Sequence, residues 1–353
     1  MANIFDIARI AGVSTSTVSL AMRNSSKLNE ATRLRVQAVA ARLNYKPSRI
    51  ARSLVQKRTN AIGVILPSSA NPIYVETSAL IEKAAFASGY DTFACFIEED
   101  PLRERRFLEK IYEQQFDGLI LVPAYPDVNR DSYASLAASR LPIVIRDEIE
   151  WLAGVDSVAV DMEQGGYDAV KHLLALGHTR IACVTTMLAA GRKLGRLKGY
   201  RKALAEMGIA FDETLVRPCG TNLDDGRKVT KEILAMKDRP SAIFLQCDLL
   251  AMGAFSAVRQ AGLKIPDDIS LVGFDDISFA PYLESPLTTV AHPKEKVAAA
   301  LVKTLAHRIQ NKEAAARHIV ITPQLIVRKS SARPRDFSSQ PKQGVRRPQP
   351  CRQ

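Results

Sequence analysis

The stretch that decides the fold of the N-terminal region, residues 3–22, reads NIFDIARIAGVSTSTVSLAM. Asn3, followed three residues later by Asp6, is typical of a helix N-terminus in which each side chain caps the backbone of the other residue. Gly12 ends this helix because glycine adopts a positive φ without steric cost. Ser14 then caps a second short helix over about Thr15–Met22. The spacing predicts two helices that cross steeply over a short turn.

A third helix is predicted from about residue 29 to residue 44. Its inward side chains would complete a three-helix core: Thr32, Val36, Val39 and Leu43. Such a module can place its second helix in the major groove of DNA, although an ordinary helical hairpin without a ligand has the same spacing. Spacing and charge together favour DNA binding, since residues 1–60 carry 11 Lys and Arg against 2 Asp and Glu; charge alone would also fit a solvated face. A basic excess is expected of a module that meets a polyanion, and we predict DNA binding.

The segment after the third helix is short and basic. Residues 48–54 read SRIARSL and follow Pro47, which stops simple continuation of the helix. Ala51 and Leu54 share one helical face and are flanked by arginines, as insertion into a minor groove requires. By itself the segment is too short for a stable helix in water and is more typical of a flexible linker.

The body of the chain alternates apolar runs with helical patterns. The apolar runs are residues 61–66, 92–96, 118–122, 143–145, 181–184, 242–245 and 269–274. Helical patterns lie at residues 74–88, 102–115, 165–176, 196–207, 226–236 and 249–261. This alternation predicts parallel βαβ units of the α/β class.

Several candidate binding residues lie just past the ends of these strands or begin a helix, where open α/β sheets bind ligands. They are Ile73, Tyr74, Asp147, Arg196, Cys247 and Asp275. Carboxylates accept hydrogen bonds from hydroxyl groups, arginine donates a planar fork, and an aromatic ring stacks on a sugar or a base. Two alternatives stay open: Tyr74 packs against its lobe, and the neighbouring Asp248 is only a helix N-cap.

The sequence resembles a known family over about residues 3–328. The motifs that carry the resemblance are IARIAGVS (7–14), TVS (17–19), KPSRIARSL (46–54), IGVI (62–65), DGLI (117–120), GHTRIA (177–182), GY (199–200), IPDDIS (265–270), GFDD (273–276) and PLTTV (286–290). They closely resemble the lactose-repressor (LacI/GalR) family of bacterial regulators.

The resemblance implies a division of the chain into domains. A three-helix helix-turn-helix domain would span residues 1–46, and a hinge helix and linker would span 47–60. A two-lobed, periplasmic-binding-protein-like body of parallel-sheet α/β lobes would span 61–328. Its first lobe would hold about 61–160 and 291–321, and its second about 161–290 and 322–328. From composition, residues 329–353 are expected to form a disordered basic tail that is either solvated or adds non-specific DNA affinity.

On the DNA side, the resemblance implies a homodimer on double-stranded operator DNA. Base contacts would come from Thr15, Ser16 and Leu20. Many relatives carry arginine at the position of Leu20, and leucine suits a thymine methyl group better than a guanine. The minor-groove hinge would use Ala51 and Arg52, with Leu54 as the wedge. Phosphate contacts are implied for Asn3, Ser14, Thr17, Ser19, Arg23, Asn29 and Tyr45.

On the ligand side, the resemblance implies a small-molecule effector between the lobes. Its contacts would be Ile73, Tyr74, Asp147, Asp161, Arg192, Arg196, Thr221, Cys247 and Asp275. A sugar or sugar derivative is favoured. Cys247 replaces a common asparagine and Arg192 adds a cation, which leaves room for an anionic ligand.

Other classes of protein find no support in the sequence. No uncharged apolar run reaches membrane-spanning length, and no secretory signal opens the chain. Five scattered cysteines without a C-x-x-C pair fit the reducing cytoplasm. The five histidines lack metal-binding spacing and no catalytic motif is found. We expect no membrane partner, no cofactor, no metal and no enzymatic activity.

The sequence therefore predicts a cytoplasmic transcription regulator, most consistent with a repressor, whose operator affinity responds to a small molecule. An activator or dual regulator, or one controlled by a partner protein, would share nearly every feature. A transporter-type binding protein would need an export signal and no helix-turn-helix.

Overall fold

The computed structural model describes residues 2–45, 58–111, 116–186 and 195–335. The chain divides into an N-terminal unit of residues 1–61, joined by 115–117, and a body formed by the rest. The hinge residues Ala51, Arg52 and Leu54 lie outside the described residues, as does Arg192. The predictions made for these four residues stay predictions.

The N-terminal unit consists of α1 (Ile4–Ala11), α2 (Thr15–Met22) and α3 (Glu30–Arg42). The capping residues predicted for the first two helices are confirmed. The Asn3 side chain accepts hydrogen bonds from the amides of Phe5 and Asp6, and the Asp6 carboxylate accepts one from the Asn3 amide. Gly12 closes α1 with φ of 64°, a region that costs most other residues energy.

The three helices pack around one small apolar core. Helices α1 and α2 meet at 100°, the steep crossing of a helix-turn-helix. The buried core residues are Ile7, Ala8, Ala11, Val18, Ala21, Val36 and Ala40. The core residues recur at helical spacing, and Phe5, Ile10 and Leu34 are the large apolar side chains that these helices leave exposed.

The body contains two six-stranded sheets, one in each lobe. The first sheet holds β1 (Ala61–Leu66), β2 (Asp91–Phe96), β3 (Gly118–Leu121), β4 (Ile143–Ile145), β5 (Asp156–Val160) and β11 (His318–Ile321), in the order β11-β5-β4-β3-β1-β2. The second sheet holds β6 (Ile181–Thr186), β7 (Val216–Cys219), β8 (Ala242–Leu245), β9 (Ser270–Asp275), β10 (Thr288–Ala291) and β12 (Gln324–Ile326), in the order β12-β10-β9-β8-β6-β7. The described pairings are parallel apart from β10 with β12, which is antiparallel.

Helices cover both faces of the two sheets. They are α4 (Pro72–Ala87), α5 (Pro101–Lys110), α6 (Arg130–Ala137), α7 (Met162–Ala175), α8 (Gly195–Glu206), α9 (Leu223–Leu234), α10 (Asp248–Gln260) and α11 (Lys294–Gln310). Central strands such as β3 and β8 are buried at every position, because a parallel sheet between two helical layers has no solvent face. The predicted two-lobed α/β body is confirmed.

The chain crosses between the lobes three times. It passes from β5 to α7, from β10 to α11, and from β11 to β12. Each lobe is therefore assembled from segments distant in sequence. Two of the crossovers are in contact, since the Asp161 amide donates to the Ile321 carbonyl at 3.0 Å.

The predicted disorder of the C-terminal tail is wrong for residues 329–335. The amides of Lys329 and Ser330 both donate to the carbonyl of Pro286, at 2.9 and 3.0 Å. Ser330 is fully buried, and its hydroxyl donates to the Leu271 carbonyl at 2.6 Å. Polar composition suggested disorder, but these polar groups complete the hydrogen bonds beside β9 and β10. Residues 336–353 lie outside the described residues.

Within the described residues, no single helix is long and apolar enough to cross a membrane. Only when taken together do the neighbouring helices α1 and α2 have the length and apolar composition of a membrane span, and the chain bends by 100° between them.

Candidate functional site

The outer face of α2 presents the residues predicted to read bases. Ser16 is exposed, and Thr15 and Leu20 are partly exposed. Ser16, Leu20 and Arg23 follow at spacings of four and three residues, which places them on one side of the helix. The face therefore offers a hydroxyl group, an apolar side chain and a cation along one line.

A cluster of hydroxyl groups surrounds the N-terminus of α2. The Ser14 hydroxyl accepts a hydrogen bond from the Thr17 amide at 3.2 Å. It also lies 3.0 Å from the hydroxyl of Ser16 and 2.9 Å from that of Thr17. Free amides and the helix dipole make such an end attractive to an anion such as a phosphate.

Within the described part of the chain, six of the seven predicted phosphate-contact residues, all except Tyr45, form intramolecular hydrogen bonds through their side chains. Arg23 folds back on its own helix and donates to the carbonyl and the hydroxyl of Ser19, at 3.1 and 2.8 Å. Asn29 caps α3 by accepting from the Thr32 amide at 2.8 Å. Tyr45 packs partly buried against the three-helix core. In this conformation these contacts order the unit.

A cavity of about 610 Å³ has walls from both lobes of the body. It brings together every predicted effector residue that the structure describes: Ile73, Tyr74, Asp147, Asp161, Arg196, Thr221, Cys247 and Asp275. Most of them follow strands or begin helices at the carboxyl ends of the sheets, as the sequence predicted. Tyr74 also contacts the apolar cores of both lobes, so its ring both packs and lines the cavity.

A buried chain of polar groups forms one wall of this cavity. The Nε2 atom of His292 lies 3.2 Å from a carboxylate oxygen of Asp275. The Nδ1 atom of His292 lies 3.1 Å from the guanidinium of Arg146. Burial, together with the nearby cations of Arg146 and Arg196, lowers the pKa of His292 to about 4, although the bond to Asp275 opposes the shift. At neutral pH His292 is therefore uncharged, donates from Nε2 to Asp275 and accepts at Nδ1 from Arg146.

Asp275 is held in an uncommon backbone conformation. Its φ is 120°, a region that strongly favours glycine and that persists only where the surroundings enforce it. The residue is the last of β9, and His292 fixes one carboxylate oxygen. The strand end and the histidine together set the direction in which this carboxylate faces the cavity.

Arg196 is positioned by close packing between α7 and α8. A Cβ atom on Gly166 would lie 2.3 Å from the Arg196 carbonyl oxygen, so only glycine allows these helices to approach. The guanidinium carbon lies 4.6 Å from the ring centroid of Phe274. Its buried Nε atom has no hydrogen-bond partner among the residues that the structure describes. The arginine is thus held by the aromatic ring, and it retains donor capacity for a ligand.

Asp248 is neither a helix cap nor part of the cavity wall, so the N-cap interpretation was wrong. Cys247 occupies the N-cap position without a side-chain hydrogen bond. The fully buried Asp248 carboxylate accepts from the Thr289 hydroxyl at 2.6 Å and from the Ile277 amide at 3.0 Å. Burial and the charge of Asp275 raise its pKa. It joins α10 to the ends of β9 and β10.

Several residues of the cavity wall were missed by sequence reasoning. Arg146 directly precedes Asp147 at the end of β4, and Gln246 follows β8, so their position after a strand was an available signal. His292, Glu99 and Trp151 lie on connections without a distinctive pattern. Of these, Glu99 accepts a hydrogen bond from the Thr221 hydroxyl across the two lobes, and burial raises the pKa of Glu99.

The chain carries a helix-turn-helix unit, and its body consists of two α/β lobes with a polar cleft. This combination is typical of DNA-binding regulators that respond to a ligand. Residues 3–48 match the family model of lacI-type bacterial regulatory proteins, and residues 170–331 match a periplasmic binding protein-like domain. The chain belongs to the lacI family of bacterial regulatory proteins.

Relatives match along nearly the whole chain. The HTH-type transcriptional repressor PurR of Photobacterium profundum is 37% identical over 331 residues, 94% of this chain and 98% of that protein. A solved lac repressor dimer, bound to operator and the anti-inducer ONPF, is 27% identical with a TM-score of 0.83, covering 94% of this chain and 99% of that one. A complex of the transcriptional regulator CelR with cellobiose is 26% identical with a TM-score of 0.70, covering 94% and 100%.

Proposed function

We propose that this protein is a homodimeric transcriptional repressor whose operator affinity is set by a neutral sugar or sugar derivative bound between the lobes. The observation that carries the proposal is the convergence of eight predicted effector residues on one cavity, in a chain that also holds a helix-turn-helix unit. Such a regulator works where the chromosome is, so we propose the cytoplasm as its location.

The DNA side of the proposal rests on α2. Its exposed face carries Ser16, Leu20 and Arg23, and hydroxyl groups surround its N-terminus. We propose that this helix enters the major groove, with Leu20 against a thymine methyl group. The predicted minor-groove wedge at Leu54 belongs to the same proposal.

The ligand side of the proposal rests on charge. Among the described residues, the cavity wall carries the carboxylates of Glu99, Asp127, Asp147, Glu148, Glu150, Asp161, Glu163 and Asp275. Its described cationic side chains are three, those of Arg146, Arg196 and Lys198. The carboxylates accept hydrogen bonds from hydroxyl groups. This described part of the wall supports a neutral polyhydroxylated ligand, and a related regulator was solved with cellobiose.

The dimeric state is supported by exposed apolar side chains. Val75 and Phe86 lie on α4, and Phe93 lies on the edge strand β2. Large exposed apolar groups commonly mark interaction surfaces. The similar lac repressor was solved as a dimer on its operator.

The mechanism is a linkage between lobe closure and DNA affinity. Glu76 of α4 accepts from the Ser278 amide of the second lobe at 2.8 Å, and Glu99 accepts from Thr221. These bonds hold the lobes in the conformation described here. A ligand in the cleft shifts the equilibrium only as far as its affinities for the open and closed forms differ.

Replacing Arg196 with alanine tests the link between the cleft and the response. R196A should bind the preferred duplex as the wild type does, yet lose at least about 90% of the ligand-induced change in DNA affinity, since a charged hydrogen bond is worth roughly 1.5–3 kcal/mol. Fluorescence anisotropy of labelled duplex measures both quantities.

The matched control is R201A. Arg201 lies on the same helix, stacks on Phe211 and is absent from the cavity wall, so its loss should leave the response unchanged. A normal ligand response in R196A would count against the proposed site.

A further inference from the structure

An indole ring lies in the cavity wall beside the residues already described. Trp151 is the only tryptophan of the chain. It sits in a short 3₁₀ turn, Glu150–Leu152, between β4 and β5, and it lines the cavity while half-buried. No sequence pattern marked it, because a single aromatic residue in a connection has no periodicity to interpret.

The ring is fixed by three neighbours of its own lobe. Its Nε1–H donates to the Asp127 carboxylate at 3.0 Å. The guanidinium carbon of Arg130 lies 4.8 Å from the ring centroid. Tyr133 meets the ring edge to face, with centroids 6.5 Å apart. A ring held from three directions is ordered before any ligand arrives, so binding on it costs little side-chain entropy.

One of these neighbours, Tyr133, is buried and anchored below the surface, whereas Asp127 and Arg130 are exposed. The Tyr133 hydroxyl donates to Glu104 at 2.8 Å, and Glu104 is fully buried. The same carboxylate accepts from the amides of Ala124 and Tyr125, at 2.8 and 3.1 Å. The loop after β3, which carries Asp127, is thereby joined to α5 and α6. The indole rests on a rigid support rather than on a free loop.

The chemistry that the indole offers follows from these contacts. Its hydrogen-bonding group is already engaged by Asp127, so the ring presents only carbon surface to the cavity. Carbon surface packs against apolar C–H groups. The surrounding wall supplies the opposite chemistry, since its carboxylates accept hydrogen bonds from hydroxyl groups. A sugar ring combines the two, with C–H groups on its face and hydroxyl groups around its edge.

We propose that Trp151 is a specificity-determining contact for the effector and packs against the C–H face of a sugar ring. This inference rests on the proposed function, because it places the ligand in the same cleft. It adds a residue outside the set predicted from the sequence, and it narrows the ligand to a carbohydrate with an exposed apolar ring face.

The single tryptophan provides the test. Full-length protein is titrated with D-ribose, D-glucose and cellobiose, following both tryptophan emission and the heat of binding. We expect at least one sugar to change the emission, with the same midpoint as the calorimetric curve. In W151A the dissociation constant of that sugar should rise about tenfold, and in W151F it should change less than about threefold, because a smaller aromatic ring keeps the packing surface.

Two further measurements distinguish loss of the contact between Trp151 and the sugar from disruption of the fold. D127N keeps the indole but exchanges a charged acceptor for a neutral one, so it should weaken the same sugar by less than W151A does. Thermal unfolding without sugar should give W151F a midpoint close to that of the wild type, which makes its binding data interpretable even if W151A folds poorly.

The experiment distinguishes failure of this inference from failure of the proposed function. A sugar that binds calorimetrically without changing the wild-type emission, and whose affinity is the same in W151A and W151F as in the wild type, overturns this inference and leaves the proposed function intact. Failure of all three sugars to bind, or binding of a flat base such as adenine alone, overturns the carbohydrate assignment and with it the inference.

Discussion

At the scale of single residues, the candidate site depends on how Asp275 is held. Its backbone lies in a region that favours glycine, and its carboxylate is bound to a neutral, buried histidine. His292 in turn accepts from Arg146, a residue on another strand end. The carboxylate therefore faces the cavity in a fixed direction, and a ligand does not have to order it.

The lowered pKa values of three histidines predict how the free energy of unfolding depends on pH. Burial lowers the pKa of His292 to about 4, and burial also lowers the pKa values of His172 and His178. In the unfolded chain a histidine has a pKa of about 6.5, so the unfolded state binds more protons in the interval between. The three histidines therefore lower the free energy of unfolding as the pH drops from about 6.5 toward 4, by up to about 3 kcal/mol from His292 alone. The raised pKa values of Glu99 and Asp248 act in the opposite direction, because these carboxyls bind protons more readily in the folded state.

Urea unfolding at a series of pH values measures this loss. H292Q removes the titrating ring but keeps an amide, so the fall with pH should be shallower than in the wild type. H318Q, which replaces an exposed histidine, is the matched control and should keep the wild-type slope. A fall with pH that is as steep in H292Q as in the wild type would contradict the assignment.

Part of the site was predictable at this scale, and part was not. Asn3, Gly12 and Ser14 were predicted as caps because capping is a local interaction along the chain. Asp147 and Arg196 were placed at the cavity because strand ends and helix starts can be located from sequence. His292 was missed, since its importance comes from two partners far away in the sequence. Asp248 was misread for the same reason.

At the scale of helices and strands, the apolar runs predicted six of the eight interior strands and missed β5 and β10. The run 143–145 matches β4, and the run 242–245 matches β8. Buried parallel strands are continuously apolar, which makes them easy to recognise. The strand β7, with sequence VRPC, was not predicted because Arg217 and Pro218 interrupt the pattern. It lies at an edge of its sheet, where proline is tolerated.

The N-terminus of α2 gives a prediction at the scale of the helix. In S14A the Thr17 amide loses its acceptor, and the hydroxyl groups of Ser16 and Thr17 lose a shared partner. Loss of an N-cap costs about 1 kcal/mol. Hydrogen exchange of residues 15–22 in the full-length chain should accelerate about fivefold.

The control for S14A is the variant S26A. Ser26 is an exposed serine in the loop after α2, and S26A should leave exchange in residues 15–22 as in the wild type. Equal exchange rates in S14A and the wild type would show that the Ser14 cap does not stabilise α2.

At the scale of the whole molecule, the arrangement of the body explains how a ligand can act on it. The cavity wall includes residues at two of the three crossovers between the lobes: Asp161 follows β5, and His292 follows β10. A ligand that contacts these positions therefore touches two of the three connections between the lobes. Tertiary packing decides which strands distant in sequence pair with each other. The alternation of apolar runs could therefore predict that the sheets are parallel, but not the order of the strands within them.

The central claim is that the basic helix-turn-helix unit reads a DNA sequence as part of a dimer. Selection of the purified protein on a pool of random-sequence duplexes tests it most directly, with the affinity of the selected duplex then measured over a range of salt. We predict enrichment of a two-fold symmetric site, and an affinity that falls steeply and linearly in log–log form with salt as phosphate contacts release counterions. A pool that stays random after repeated rounds, with equal affinity for every duplex, would contradict the claim.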